Sequence, residues 1–400
     1  MTAAYLLCHG HDIHVFEAQN RIGGHTHTIE CEDSGRTIPV DTGFIVFNDR
    51  TYPNFIKLVD RLGVPWRHST MSFSVRCDRT GLEYNGATLN SLFAQRSNLL
   101  RPGFYRMLTD ILRFNRDAIA AAARTPDVSL GRYLDGSGYS RRFIDHYIVP
   151  MAASIWSAPQ RVILEFPLRF FVRFLHNHGM LSVNDRPVWR TIVGGSSVYA
   201  RKLTEPFAGR IRLNSPVRRI ARAPGHVAVS TDAGTEYFDH VVIACHSDEA
   251  LSLLADPIPQ EREILGSISY QRNTAVLHTD TSLLPRRTLA WAAWNYHVPP
   301  SPDAPVTVTY DLTALQGLAT SARFLVTLNR DDHIDPAKVI RRIVYHHPVF
   351  STRGVASQAR HAEISGRGRT HYAGAYWGNG FHEDGVNSAL AACRTFGVSL

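Results

Sequence analysis

The most constraining stretch of this chain runs from Val15 to Thr28, V-F-E-A-Q-N-R-I-G-G-H-T-H-T. A mostly apolar run, Ile13 to Phe16, ends in the acid Glu17, and the pair Gly23-Gly24 follows six residues later. In a dinucleotide-binding βαβ unit, the acid closing the second strand accepts hydrogen bonds from the adenosine ribose hydroxyls. Paired glycines let backbone approach a bulky planar or phosphorylated ligand where a Cβ would collide. The stretch therefore predicts a flavin dinucleotide (FAD) site. The ribose acid normally lies ~20 residues after the first glycine of the phosphate loop. Counting back from Glu17 passes Met1, and Thr2 to Cys8 reads as the tail of a helix stopped by Gly10. The expectation is that the first strand and the phosphate loop have no counterpart here and that FAD is held weakly.

Four hundred residues exceed the usual single core, so two domains are expected. No apolar run reaches the ~18 residues that span a bilayer, and Thr2 to Leu7 shows no leader-peptide pattern. Five scattered cysteines with no C-x-x-C pair read as reduced thiols, which places the protein in the cytoplasm. Net charge is +8, with lysine only at Lys57, Lys202 and Lys338. Such a balance suits an anionic membrane surface or a phosphate-bearing ligand. No basic cluster with interleaved aromatics forms a nucleic-acid module, so nucleic acid is not expected as a partner.

Along the chain, Pro39 to Asn48 (P-V-D-T-G-F-I-V-F-N) predicts a strand entry, and Tyr52 to Leu62 a helix with Phe55, Leu58, Val59 and Leu62 on one face, capped by Gly63. Met71 to Val75 alternates like a sheet edge. Helical patterns cover Tyr105 to Ala123 and Arg141 to Ile155. Phe166 to Leu175 is a Phe-rich helix carrying arginines, read either as core or as a hydrophobic funnel or membrane-docking face. Ile211 to Cys245 is a β-meander, and its last run, Val241 to Ala244, reads as a parallel strand buried on both faces. Strands are expected from Thr274 to Leu328, with Trp291, Trp294 and Tyr296 as substrate wall or core. Ala337 to Tyr345 reads as a helix ended by His346-His347. The last segment, H-Y-A-G-A-Y-W-G-N-G-F-H-E-D-G-V-N-S, predicts a strand, a Gly-rich loop and a helix starting near Gly385, with Asp384 at its N-terminus. Helix amides and dipole there favour the negative charge that develops on a reduced flavin.

Taken in order, E-A-x-x-R-I-G-G-H, D-T-G-F, V-G-G-S, N-S-P-V-R-R-I and G-F-H-E-D-G resemble the flavin-containing amine oxidase and phytoene desaturase superfamily, and within it a branch of bacterial NAD/FAD-binding proteins. The resemblance runs from Thr2 to the C-terminus. It implies an α/β fold with a glutathione-reductase-like FAD-binding Rossmann domain (1–65, 187–265 and 360–400) and an inserted α+β substrate domain (66–186 and 266–359). By position, Glu17 and Ala18 would hold the adenosine ribose, and Arg21, Gly23 and Gly24 the phosphates and ribityl chain. His25 stands where amine oxidases usually carry arginine. Thr42 and Gly43 would touch the flavin ring, Val217 would bracket the adenine through its backbone, and Asp384 and Val386 would complete the ribityl and pyrimidine end.

Amine oxidases commonly carry a lysine near the flavin on a substrate-domain strand, and Thr274 to Leu328 contains none. The branch is linked to fatty acyl modification. The expected function is therefore hydride transfer from an apolar, fatty acyl or isoprenoid-like carbon to FAD, with peripheral membrane contact. The alternatives are an amine oxidase and a non-catalytic flavin-fold protein. His11-x-x-His14 spans a helix end and a strand start, so no metal site is expected. Ser196-Ser197 after Gly194-Gly195 reads as a turn near the flavin, and no G-x-S-x-G nucleophile motif is present.

Overall fold

A computed structural model describes residues 1–400 except 126–127, 183, 300 and 302–303. The chain opens with the helix Thr2–Leu7, and Val15–Phe16 pairs in parallel with Ile211–Arg212. A second parallel ladder joins Val241–Ile243 to Thr370–Tyr372, and Val217–Arg222, Val227–Thr231 and Gly234–Phe238 form an antiparallel meander. The helix Pro53–Arg61 buries Phe55, Leu58 and Val59, the face its periodicity defined, with proline in its first turn. It ends at Gly63, whose φ of +59° is a left-handed value open to glycine without cost. The helices Ser197–Thr204 and His382–Arg394 share one core with it, through Tyr199, Leu203, Val386 and Leu390.

A seven-stranded sheet forms the other half. Its order is Val339–Val349, Ser269–His278, Leu325–Leu328, Thr307–Asp311, Trp294–His297, Phe73–Cys77 and Leu82–Asn85. Every pairing is antiparallel except that of Trp294–His297 with Phe73–Cys77. Helices Pro102–Arg124, Val149–Trp156 and Leu168–Asn177 cover it through an aromatic core that includes Tyr84, Phe114, Phe143, Trp156 and Tyr296. Phe170, Phe171 and Phe174 are at most 2% exposed, so the Phe-rich stripe is core, with Arg169 and Arg173 left outside. No helix among the described residues is long and apolar enough to cross a membrane.

Four expectations are corrected. Residues 337–345 are not a helix: Val339–Val349 is an eleven-residue strand laddered along Ser269–His278. Val339, Ile340, Ile343 and Val344 satisfy a helical spacing, but their β-branched side chains favour a pleated surface, and the long ladder decides the matter. His346 and His347 consequently lie within a strand. Residues 71–75 are not at a sheet edge, because Phe73–Cys77 has a partner on each side and Leu82–Asn85 is the edge. Val241–Ile243 has one strand partner, and Val241 and Val242 are only half-buried. In the stretch 39–48, Asp41 closes the strand Arg36–Asp41, residues 42–46 turn irregularly, and strand resumes only at Phe47–Asn48.

Candidate functional site

The predicted adenosine end assembles where the first parallel ladder stops. Glu17 donates its amide to the Arg212 carbonyl, and its own carbonyl accepts from the Ser215 amide, both at 2.9 Å. One Glu17 carboxylate oxygen accepts from the Gln19 amide at 2.9 Å. Ala18 is exposed beside it, and Val217 packs in the same apolar cluster as Phe16.

The Gly-Gly turn folds against D-T-G-F. Arg21 donates to the Gly24 carbonyl at 2.8 Å, and Gly23 and Gly24 take φ of +110° and +57°. Phe44 donates its amide to the His25 carbonyl at 2.8 Å, and a Cβ on Gly43 would collide with that same oxygen. Thr42 donates its hydroxyl to the His27 carbonyl (3.0 Å) and meets the Tyr345 hydroxyl at 2.9 Å. The His25 ring stacks on Tyr345, centroids 4.7 Å apart, and lies 5.4 Å from His347. Burial and the neighbouring histidines and Arg21 hold the His25 imidazole well below its usual range, and burial brings His347 down to about 4. Both rings are therefore neutral at pH 7, with the Arg21 guanidinium beside them.

Beneath the turn, one buried carboxylate joins three motifs. Asp41 accepts from the Thr28 hydroxyl (2.6 Å), from the Ser196 amide and hydroxyl (2.9 and 2.8 Å) and from the Gln316 amide (3.2 Å). Burial, resisted by those bonds, pushes its carboxyl up to about 6. Ser196 is thus a tether rather than a nucleophile.

The C-terminal loop delivers the helix His382–Arg394 to the same place. His382 stacks on Phe44 at 3.8 Å and bonds the Tyr199 hydroxyl, which meets Thr26 Oγ1 at 2.7 Å. Burial pushes His382 down to about 3. Asp384 accepts from the Phe381 amide at 2.9 Å, and burial raises its carboxyl to about 6. Val386 is buried at 3% exposure and packs into the core shared with Tyr199 and Leu203. Asp384, Phe381 and Asn379 also line a cleft of about 670 Å³, opposite Arg50, Ile119 and His178. Phe381 stacks on the buried Phe174 at 5.1 Å, and Phe174 on His178 at 3.9 Å; Phe381 and His178 line the cleft beside Asp185 and Glu383.

Sequence reasoning missed Asp41, Tyr199, Tyr345, His347 and His382 as site residues. Asp41 and His382 sat inside quoted motifs; the others had no local signal. Trp291, Trp294 and Tyr296 divide between packing roles. Trp291 bonds the Pro285 carbonyl at 2.7 Å, Trp294 packs edge-on to Tyr310, and Tyr296 lies in the aromatic core. No cluster that could hold a metal occurs among the described residues.

The residues present fit FAD. Nothing lies within 4 Å of a Cβ placed on Gly24 or Gly385, so backbone is open at the Gly-Gly turn and at the first turn of the thirteen-residue C-terminal helix. His25 Nε2 and Asn379 Oδ1 are buried with no hydrogen-bond partner in the protein, and each can serve a polar ligand. Glu17 keeps acceptor capacity for ribose hydroxyls.

Comparison with known proteins agrees. Residues 1–395 match the family model for flavin-containing amine oxidoreductases. A protein of Mycobacterium tuberculosis named flavin-containing monoamine oxidase AofH is 25% identical over 328 residues, which cover 76% of this chain and 66% of that protein. Among solved structures, cyclohexylamine oxidase from Brevibacterium oxydans superposes with a TM-score of 0.72 at 16% identity, covering 99% of this chain and 97% of the other. A CLA-producing fatty acid isomerase from P. acnes superposes with a TM-score of 0.67 at 15% identity, covering 99% of this chain and 95% of the other. The fold is that of a Rossmann-like FAD-binding unit joined to a substrate unit. The chain belongs to the flavin-containing amine oxidoreductase family, whose members are FAD-dependent oxidoreductases.

Proposed function

We propose that this protein abstracts a hydride from an apolar carbon, in a fatty acyl or isoprenoid-like lipid, in the manner of a desaturase. Residues 1–65, 187–265 and 360–400 form the cofactor domain in this reading, and 66–186 and 266–359 the substrate domain. FAD, when bound, supplies the hydride acceptor; the protein supplies orientation, exclusion of water and electrostatics. Glu17, Ala18 and Val217 hold the adenosine end, Arg21, Gly23, Gly24 and His25 the middle, and Thr42, Gly43, Asp384 and Val386 the ring end. The enzyme works in the cytoplasm.

The observation that carries this reading is the fate of the three lysines. Lys57 is exposed on Pro53–Arg61, Lys202 donates to the Leu62 and Gly63 carbonyls (3.2 and 3.0 Å), and Lys338 pairs with Asp280 at 3.5 Å. None reaches the site, where Val339–Val349 offers Tyr345 and His347 instead. Phe381 and neutral His178, whose pKa burial lowers to about 4, give the cleft an aromatic patch that Phe174 backs from the core. The fatty acid isomerase named above shares the fold, which supports a lipid substrate.

Amine oxidation is the second reading, favoured by the match to AofH and the likeness to cyclohexylamine oxidase. Anaerobic mixing of the FAD-loaded protein with unsaturated acyl lipids and, separately, with amines decides between them. Bleaching of the visible flavin band by acyl lipids alone is expected. Bleaching by amines alone would overturn the lipid reading, and protein that stays colourless after reconstitution would sink both.

A further inference from the structure

Large apolar side chains at the surface concentrate in one place. Leu89, Leu99, Leu100, Tyr105, Leu112 and Ile119 are between 43% and 87% exposed and all fall within residues 89–119. Tyr105, Leu112 and Ile119 recur every seven residues along Pro102–Arg124, which puts them on one stripe of that helix. The opposite stripe, with Phe104, Met107, Phe114 and Ala118, is fully buried in the core. The Tyr105 hydroxyl donates to the Leu99 carbonyl at 3.1 Å, and its ring lies 6.1 Å from Phe93. Those contacts set Leu99, Leu100 and the helix Leu89–Leu92 at one end of the same ridge. At the other end, Ile119 lines the mouth of the 670 Å³ cleft.

The ridge is also basic. Residues 89–124 hold six arginines against two aspartates and no lysine or glutamate, a surplus of four charges in a chain whose net charge is +8. Arg96 directs its guanidinium at the Asn90 side-chain oxygen and at the Asn90 and Phe93 carbonyls, none of which neutralises it. Among the described residues Arg101 likewise meets Asn98 Oδ1, at 3.4 Å, and no carboxylate.

We infer that this ridge docks the protein on an anionic lipid leaflet, with Leu99, Leu100 and Leu112 inserted at the headgroup boundary and the cleft mouth at Ile119 laid against the membrane. Interfacial binding needs an apolar face and a basic flank together, and both are present. Pairing of two copies through the same stripe would set one positive surplus against another. The inference stands apart from the chemistry proposed above, since a docked enzyme could act on either substrate class.

Flotation of the FAD-loaded protein with vesicles of phosphatidylcholine and phosphatidylglycerol tests it. Binding is expected to those vesicles, weakening as salt rises and weaker on phosphatidylcholine alone. The Leu100→Ser/Leu112→Ser variant should lose about ten-fold or more in vesicle affinity while keeping the wild-type melting midpoint and flavin content. Should that variant fold poorly, Arg96→Gln/Arg101→Gln must weaken binding to anionic vesicles and leave binding to neutral ones unchanged. Wild-type protein that stays out of the vesicle fraction at low salt, or variants that bind as well as wild type, would overturn the inference. So would a wild-type dimer in light scattering that Leu100→Ser/Leu112→Ser turns into a monomer without any vesicle binding.

Discussion

His382 lies flat against Phe44, the ring centroids 3.8 Å apart and the planes 15° from parallel. This one stack fastens the N-terminus of the C-terminal helix to the D-T-G-F turn, across more than three hundred residues of chain. Through Tyr199 it also reaches Thr26, next to the Gly-Gly pair.

Replacing His382 with alanine removes the stack and leaves the buried Tyr199 hydroxyl with one partner fewer. A loss of about 2 kcal/mol in unfolding free energy is expected, together with reduced flavin content. Urea unfolding and the ratio of flavin to protein absorbance measure the two effects. Unchanged values in both would mean the clamp is immaterial.

Asp41→Ala strands the Ser196 amide, the Thr28 hydroxyl and the Gln316 amide in a buried setting. A loss of about 3 kcal/mol is expected. Asp41→Asn keeps an acceptor, and burial already favours the neutral carboxyl, so it should cost less than half as much. A reversed order of the two unfolding midpoints would disprove the tethering role.

Gly24 and Gly43 separate stability from cofactor binding. An added Cβ at Gly43 runs into the His25 carbonyl oxygen, whereas at Gly24 it meets open space with only the strain of a positive φ. Gly43→Ala should lower the melting midpoint of the flavin-free protein, and Gly24→Ala should cost it only about 1 kcal/mol. Both should weaken FAD binding, read by fluorescence titration. Normal FAD affinity in Gly24→Ala would move the cofactor away from this turn.

Stability should fall on acidification. Folding lowers the pKa of His347 to about 4 and of His382 to about 3, and depresses His25 as well. Stability from a depressed histidine is present above its unfolded value near 6.5 and is lost as pH falls through the folded value. Asp41 and Asp384, raised to about 6, act with the opposite sign: their contribution is present below the unfolded value and is lost as pH rises through 6. The histidines are more numerous and further displaced, so the melting midpoint should decline from about pH 6.5 towards pH 4. His347→Gln should flatten that decline, and an unaltered slope would argue against a buried neutral ring.

Local features were legible because their causes are local. Glu17 after a short strand, the Gly23-Gly24 turn, the Pro53–Arg61 helix with its Gly63 stop and Asp384 in the first turn of the last helix each depend on conformation within a few residues. What sequence could not decide was which distant groups meet. Val339–Val349 carries a pattern compatible with either helix or strand, and only its ladder with Ser269–His278 made it a strand. That choice turned Tyr345 towards Thr42, 303 positions away, and brought His347 beside His25. Tyr199 and Thr26 stand 173 positions apart, Asp41 and Gln316 275. The sequence by itself thus determined the family, the cofactor class and the glycine turns at Gly23, Gly24 and Gly63. Only the tertiary structure decided the walls of the site and the exposed ridge at its mouth, because burial and charge compensation exist only between surfaces that folding brings together.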